Sequence, residues 1–203
     1  MSENKKCAYC LKVEEKISKN LKSFIEAISK IMDFRDPYTS GHEKRVAQLG
    51  VAIAKKMGYS KKRVACVDLI CGLHDIGKIK VPSDILSSPS QLSGPEFAIL
   101  KQHPEIGYEI LKDVDFTCNL DNSCSFNENS NCVLATAVLQ HHERPDGSGY
   151  PNGIKDMLEE ASIVAVADVV EAMISHRPYR PAVGLDRALL EIVNNKVNIR
   201  GKA

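Results

Sequence analysis

Residues 60–78 read SKKRVACVDLICGLHDIGK. Ser60 can cap a helix that runs through Val64 and Val67, and this apolar helix ends on the doublet His74-Asp75. Ile76-Gly77-Lys78 follows. The design recurs downstream, where a helical run from Val133 ends on His141-His142 and Glu143-Arg144 follows. Neighbouring residues on a helix diverge by about 100°, so a doublet inside a helix cannot aim both side chains at one point. At a helix end, facing two adjacent cations, it avoids that difficulty. Imidazole and carboxylate together suit iron, manganese, zinc or nickel better than magnesium or calcium.

The rest of the chain is also helical in its periodicity. Ile17, Leu21, Phe24, Ile25, Ile28 and Ile31 recur at three- and four-residue steps, which predicts one apolar stripe on a first helix. Asp36-Pro37 should break it, and Thr39 or Ser40 can cap a second helix carrying His42, Val46, Leu49, Ile53 and Met57 on one face and ending near Gly58. Ser93-Gly94-Pro95-Glu96 has capping-box spacing and should start another helix. Pro104 is expected to interrupt that helix directly after His103. The polar stretch Thr117 to Asn131 reads as an inserted loop, and Glu143 to Asp156 as a Gly/Pro loop. A long apolar helix should cover Leu158 to Ile174, and a last one should begin near Asp186. With no alternating strand pattern, the expected fold class is all-α.

Composition sets the outer limits. With 203 residues the chain can form one domain with a real core, and 43% hydrophobic against 26% charged residues fits a soluble globular protein. A net charge of +1 provides no field favouring long nucleic acid or an anionic membrane, so phosphate binding would fall to a few local cations. The N-terminus has no signal-peptide core, and no apolar run is long enough to span a bilayer. Seven cysteines is an odd number without a compact disulfide framework, so reduced thiols and a cytoplasmic location are expected. Cys7-x-x-Cys10 lies in an N-terminal extension, residues 1–20, and Cys118, Cys124 and Cys132 lie in or beside the insert. Their spacing matches no standard zinc or iron–sulfur pattern, which favours free or redox-active thiols, whereas Cys66 and Cys71 read as core.

Asp168 stands in Ile163-Val164-Ala165-Val166-Ala167-Asp168-Val169-Val170, the most apolar segment of the chain. Burying an ionised carboxylate there is costly unless a cation compensates it. That cation is either a metal or an arginine on a neighbouring helix. His42 alone would read as a satisfied core histidine, but beside two doublets both residues point towards metal. Lys78 follows Asp75 by three positions, and Arg177-Pro178-Tyr179-Arg180 follows the Asp168 helix. These cations suit phosphate oxygens.

At this point the sequence resembles the HD-GYP family, the cyclic di-GMP phosphodiesterase branch of the HD superfamily. The matching segments are RDPYTSGHEKRVAQL (Arg35 to Leu49), HDIGKIKVPSDIL (His74 to Leu86), HPEIGYEIL (His103 to Leu111), HHERPDGSGYP (His141 to Pro151) and VADVVEAMISHRPYRPA (Val166 to Ala182). They follow one another in the family's order, far more specific than a lone motif. The resemblance implies an HD-superfamily helical bundle over 21–203 with a metal site between helices. It implies metal ligands at His42, His74, Asp75, His103, His141, His142 and Asp168, with Asp75 bridging two divalent cations. Iron or manganese come first as metals, with zinc and nickel open. Lys78, Arg177 and Arg180 would contact substrate phosphates, with Asp75 and Lys78 as the catalytic pair, and Tyr150 belongs to the signature loop. The implied reaction is two-metal hydrolysis of cyclic di-GMP to linear pGpG, with GMP as the product of a further cut. A non-catalytic module that docks a diguanylate cyclase (GGDEF) protein through the Gly149-Tyr150-Pro151 loop, and a phosphohydrolase acting on another nucleotide, are the alternatives. Whether the chain forms a homodimer stays open.

Several positions depart from the family pattern. Tyr38 stands where members with a third metal carry Glu, which implies two metals here. Glu171 replaces an Asp, Pro145 replaces a bulky residue before Asp146-Gly147, and Ser162 replaces an Arg. The terminal helical segment is expected to be short, with the chain ending at Ala203.

Overall fold

Ser60 caps α3 (Lys61–Leu73) as the sequence predicts, accepting a hydrogen bond from the Arg63 amide at 3.3 Å. The computed structural model describes residues 8–36, 41–114, 133–175 and 182–194, and every regular element among them is helical. Around α3 stand α1 (Ala8–Arg35), α2 (His42–Lys56), α7 (Val133–Gln140) and α8 (Glu159–Ile174). A 3-10 helix (Ile76–Lys80), α4 (Ser83–Leu86), α5 (Gly94–Leu100) and α6 (His103–Leu111) connect α3 to the region before α7, and α9 (Leu185–Asn194) packs on α8. The core joins Val46 of α2, Val67 and Ile70 of α3, Val138 of α7 and Ile163 and Val164 of α8. Each such side chain contributes about 1.5–3 kcal/mol on burial, so these short helices are held by packing more than by propensity. Cys66 and Cys71 are buried in that core, as expected.

α3 and α8 are aligned at their N-termini. Arg63 reaches Glu160 through Nε at 2.6 Å and Glu159 through Nη2 at 2.7 Å, and the Tyr59 hydroxyl donates to the same Glu159 oxygen at 2.7 Å. At about 1.5 Å per residue, His74 lies about 16 Å along α3 from this anchor and Asp168 about 12 Å along α8. Both therefore arrive at nearly the same level of the bundle.

Three expectations need correction. The predicted stripe on α1 splits in two: Ile25 and Met32 are buried with Leu21 and Ile28 packed beside the core, while Phe24 is 65% and Ile31 54% exposed. Phe24 and Ile31 lie seven residues apart on a neighbouring face, and α3 and the 3-10 helix cover only one face. The second correction is the start of α2, where the cap position belongs to Gly41 (φ 71°) rather than to Thr39 or Ser40. Its amide donates to the Asp33 carboxylate at 3.2 Å, tying α2 to the end of α1. The third is Pro104, which opens α6 instead of breaking a helix; the chain turns one step earlier, at Lys101-Gln102. Proline is tolerated in a first turn, where its missing N–H has no partner to lose. The capping box at Ser93 forms, with Glu96 accepting from the Ser93 amide at 2.7 Å.

Two glycines bring the pieces of the centre together. A Cβ on Gly77 would lie 1.9 Å from the His103 carbonyl oxygen, so only glycine lets α6 rest directly on the 3-10 helix. Gly107 of α6 allows the same closeness to α7, with Val138 Cγ1 at 2.8 Å from its Cβ position. The insert Thr117 to Asn131, with Cys118, Cys124 and Cys132, lies outside the described residues, as do Cys7 and Tyr38.

Candidate metal centre

His74, His103 and His141 each stand at a helix boundary, and each is oriented in the same way. Nδ1 donates to the carbonyl oxygen three residues earlier: Cys71 at 2.8 Å, Leu100 at 2.8 Å and Val138 at 2.5 Å. A carbonyl only accepts, so the proton sits on Nδ1 and the Nε2 lone pair points inward. His74 Nε2 is buried without a hydrogen-bond partner among the described residues. Leaving such a group unsatisfied costs about 1–3 kcal/mol, a cost that a bound cation would remove.

Asp75 lies between the imidazoles. Its Oδ1 is 3.3 Å from His103 Nε2, its Oδ2 is 3.5 Å from His74 Nε2, and the same Oδ2 accepts from Lys78 Nζ at 2.6 Å. His103 Nε2 and His141 Nε2 are 3.2 Å apart, and the His141 and His142 rings are centred 4.1 Å apart. Among the described residues, three overlapping groups offer ligand atoms close enough to hold a metal: His103, His141 and His142; His74, Asp75 and His141; and His42, His74 and Asp168. The structure thus brings together all seven residues that the resemblance singles out. The donor set fits a divalent transition metal, since nitrogen donors dominate and two carboxylates supply negative charge.

Asp168 projects from the middle of α8 with its side chain 16% exposed, and its partner among the described residues is His42 Nε2 at 3.1 Å rather than an arginine. Burial would raise its carboxyl, but the hydrogen bond and charge of His42 hold it well below the usual range. His42 is gripped on its other nitrogen too, where Nδ1 meets the Glu171 carboxylate in a short contact. Burial alone would lower His42, yet the hydrogen bonds to Asp168 and Glu171 raise it to about 10. Glu171 also accepts from Arg45 Nε at 2.5 Å and from the Ser175 hydroxyl at 2.5 Å. Burial pushes His103 down to about 4 and His141 to about 3, and holds His142 well below its ordinary value.

The signature loop is fastened beside this cluster. Glu143, buried, accepts from the Asn152 amide at 2.7 Å and the Ile154 amide at 3.1 Å. A Cβ on Gly149 would come within 2.4 Å of the Glu143 and Arg144 backbone, so glycine is required where the loop folds back on itself. Tyr150 then stacks on His142, with ring centres 4.6 Å apart. Lys78 remains charged: burial would lower it, and Asp75 and nearby Asp36 raise it. Arg177 and Arg180 lie outside the described residues.

Near the centre, the sequence pattern does not mark the buried carboxylates of Glu171, Glu143 and Glu43 as site residues. Glu171 reads only as a replacement, Glu143 only as a neighbour of the doublet, and Glu43 as neither. Glu43 follows His42 on α2, is 4% exposed, and has its carboxyl raised by burial and by Asp75. A charged residue next to an expected ligand was the available signal.

The family model of the HD domain matches residues 26–200. The cyclic di-GMP phosphodiesterase response regulator RpfG of Xanthomonas campestris pv. campestris is 38% identical over 179 residues, covering 87% of this chain and 43% of that protein. A cyclic di-GMP phosphodiesterase of Thermotoga maritima is 41% identical over 170 residues, 83% of this chain and 43% of its own length. A 3′3′-cGAMP-specific phosphodiesterase 3 of Vibrio cholerae is 32% identical over 177 residues, 86% of this chain and 35% of its own. The chain therefore spans less than half the length of these relatives. The chain belongs to the HD domain family.

Proposed function

We propose that this protein hydrolyses cyclic di-GMP to linear pGpG, with a further cut to GMP, using two divalent cations held by His42, His74, Asp75, His103, His141, His142 and Asp168. The observation that carries the reading is Asp75, whose two oxygens face different imidazoles while Lys78 rests on one of them at 2.6 Å. When bound, the cations supply Lewis-acid polarisation of a phosphoryl oxygen and a water of lowered pKa. Asp75 would help to hold the cations together with the imidazoles of His74 and His103. Lys78, charged and only 16% exposed on its side chain, is placed to meet the negative charge that grows on the phosphorus oxygens in the transition state. Tyr150 walls the centre on the His142 side, and Arg177 and Arg180 add phosphate contacts. Iron or manganese are the preferred metals, with zinc and nickel next.

The names of the relatives from Xanthomonas and Thermotoga support the substrate, and the Vibrio relative supports 3′3′-cGAMP as a second one. A purely docking module for a diguanylate cyclase has no need of seven convergent ligands, which speaks against the non-catalytic alternative. No described helix is long and apolar enough to cross a membrane. The test is product analysis on protein loaded with iron or manganese, given cyclic di-GMP and 3′3′-cGAMP separately. Linear pGpG that appears with metal and disappears with chelator is the expected result. Intact substrate under every metal would overturn the reading.

A further inference from the structure

A cyclic dinucleotide carries two phosphodiesters, and only one can be at the cations during a cut. The other needs a counter-charge within reach of the centre. Lys78 does not serve it, since its ammonium is held on Asp75 at 2.6 Å and so belongs to the phosphate being cut.

Among the described residues, Lys101 meets the requirement, beside the contacts proposed for Arg177 and Arg180. It stands in the turn between α5 and α6, half-buried, with its ammonium 4.9 Å from the centre of the Phe97 ring and 5.1 Å from that of Tyr150. Two aromatic faces hold the cation, an arrangement that contributes about 0.5–2 kcal/mol and leaves the ammonium open to an anion. Among the described residues no carboxylate forms an ion pair with it. Tyr150 in turn stacks on His142, so the ammonium lies one ring away from the candidate ligands. Phe97, Lys101, Tyr150 and His142 line one cleft of ≈ 280 Å³, together with Arg144. Among the described residues, the cleft is lined by one acidic group, Glu191 of α9, and two cations, Lys101 and Arg144. Phe97 lines this cleft and is 43% exposed, an aromatic side chain within reach of a purine base.

We infer that Lys101 binds the phosphate of the cyclic dinucleotide that is not being cut, with Phe97 and Tyr150 setting its position. This rests on the proposed function and extends it to the far half of the substrate. Lys101 touches substrate away from the reacting atoms, so its loss should appear in KM rather than in the chemical step.

The experiment compares wild type, Lys101→Ala and Lys101→Arg on cyclic di-GMP and on bis(p-nitrophenyl) phosphate, a diester with no second phosphate. Metal content is measured on each sample. Lys101→Ala is expected to raise KM for cyclic di-GMP about 10- to 100-fold, the loss of one charge-assisted contact, while kcat stays close to wild type. Its activity on bis(p-nitrophenyl) phosphate should be unchanged, and Lys101→Arg should restore most of the affinity. Titration of metal-stripped protein with cyclic di-GMP should show the same weakening. An unchanged KM, or an equal fall on both substrates with loss of metal, overturns the inference and leaves the proposed function standing. A wild-type protein that cleaves the small diester but never cyclic di-GMP overturns the proposed function itself.

Discussion

The two sides of the centre handle charge in opposite ways. Around His103, His141 and His142, burial keeps the imidazoles neutral, pushing His103 down to about 4 and His141 to about 3. Backbone carbonyls three residues upstream orient two of the three rings. Around His42, burial works in the same direction but loses to the carboxylates of Asp168 and Glu171, which raise the imidazole to about 10, so a cation on Nε2 would have to displace that proton. One side is aimed by its own helix ends. The other is aimed by side chains from a helix more than a hundred residues away. Sites of the first kind are as rigid as the backbone, whereas sites of the second kind last only as long as α2 and α8 stay in register.

Asp75 belongs to both sides, so its loss should produce the largest effect. Asp75→Ala is expected to remove metal from both positions and bring hydrolysis below detection, measured by elemental analysis and product assay on one preparation. Retention of both metals would break the idea that Asp75 joins them. Lys78→Ala comes next, with metal content near wild type and kcat lowered about 10²-fold, as for an electrostatic contact made in the transition state. If metal left together with activity, Lys78 would be holding Asp75 in place instead.

Glu171→Gln separates the two sides. Outer partners of metal ligands are worth about 10–100-fold in affinity, so one of two metal-binding steps should weaken by that factor in calorimetric titration, and the other should not move. Equal weakening of both steps would erase the distinction drawn between the sides. The smallest effect is expected at Ser60, at the far end of α3 from His74. Ser60→Ala removes the cap and should cost about 1 kcal/mol of stability in denaturant unfolding, with metal content unchanged. A loss of metal there would mean that the centre is more sensitive to helix stability than its packing implies.

Where a feature depended on a few neighbouring residues, it was legible in the sequence. The caps at Ser60 and Ser93, the helix ends at His74 and His141, and the largely covered carboxylate at Asp168 all follow from local spacing, and the motif order picked out the seven residues that the fold brings together. The stripe on α1 was misread because periodicity reports how many apolar residues recur, not which face finds a partner; Phe24 and Ile31 share the spacing of Ile25 and Met32 and remain exposed. Pro104 was misread because the same residue ends one helix or begins the next, depending on where the preceding turn falls.

By itself the sequence determined that the chain is helical and that its doublets sit at helix ends, because hydrogen bonds within a helix and at its caps link residues three or four positions apart. Tertiary structure alone decided that Glu171 grips His42, that Gly77 admits the His103 carbonyl, and that Lys101 stands over the Tyr150 ring. These contacts join residues dozens of positions or more apart along the chain, or depend on clearances of a single Cβ. They are set by how the helices pack, which no local pattern encodes.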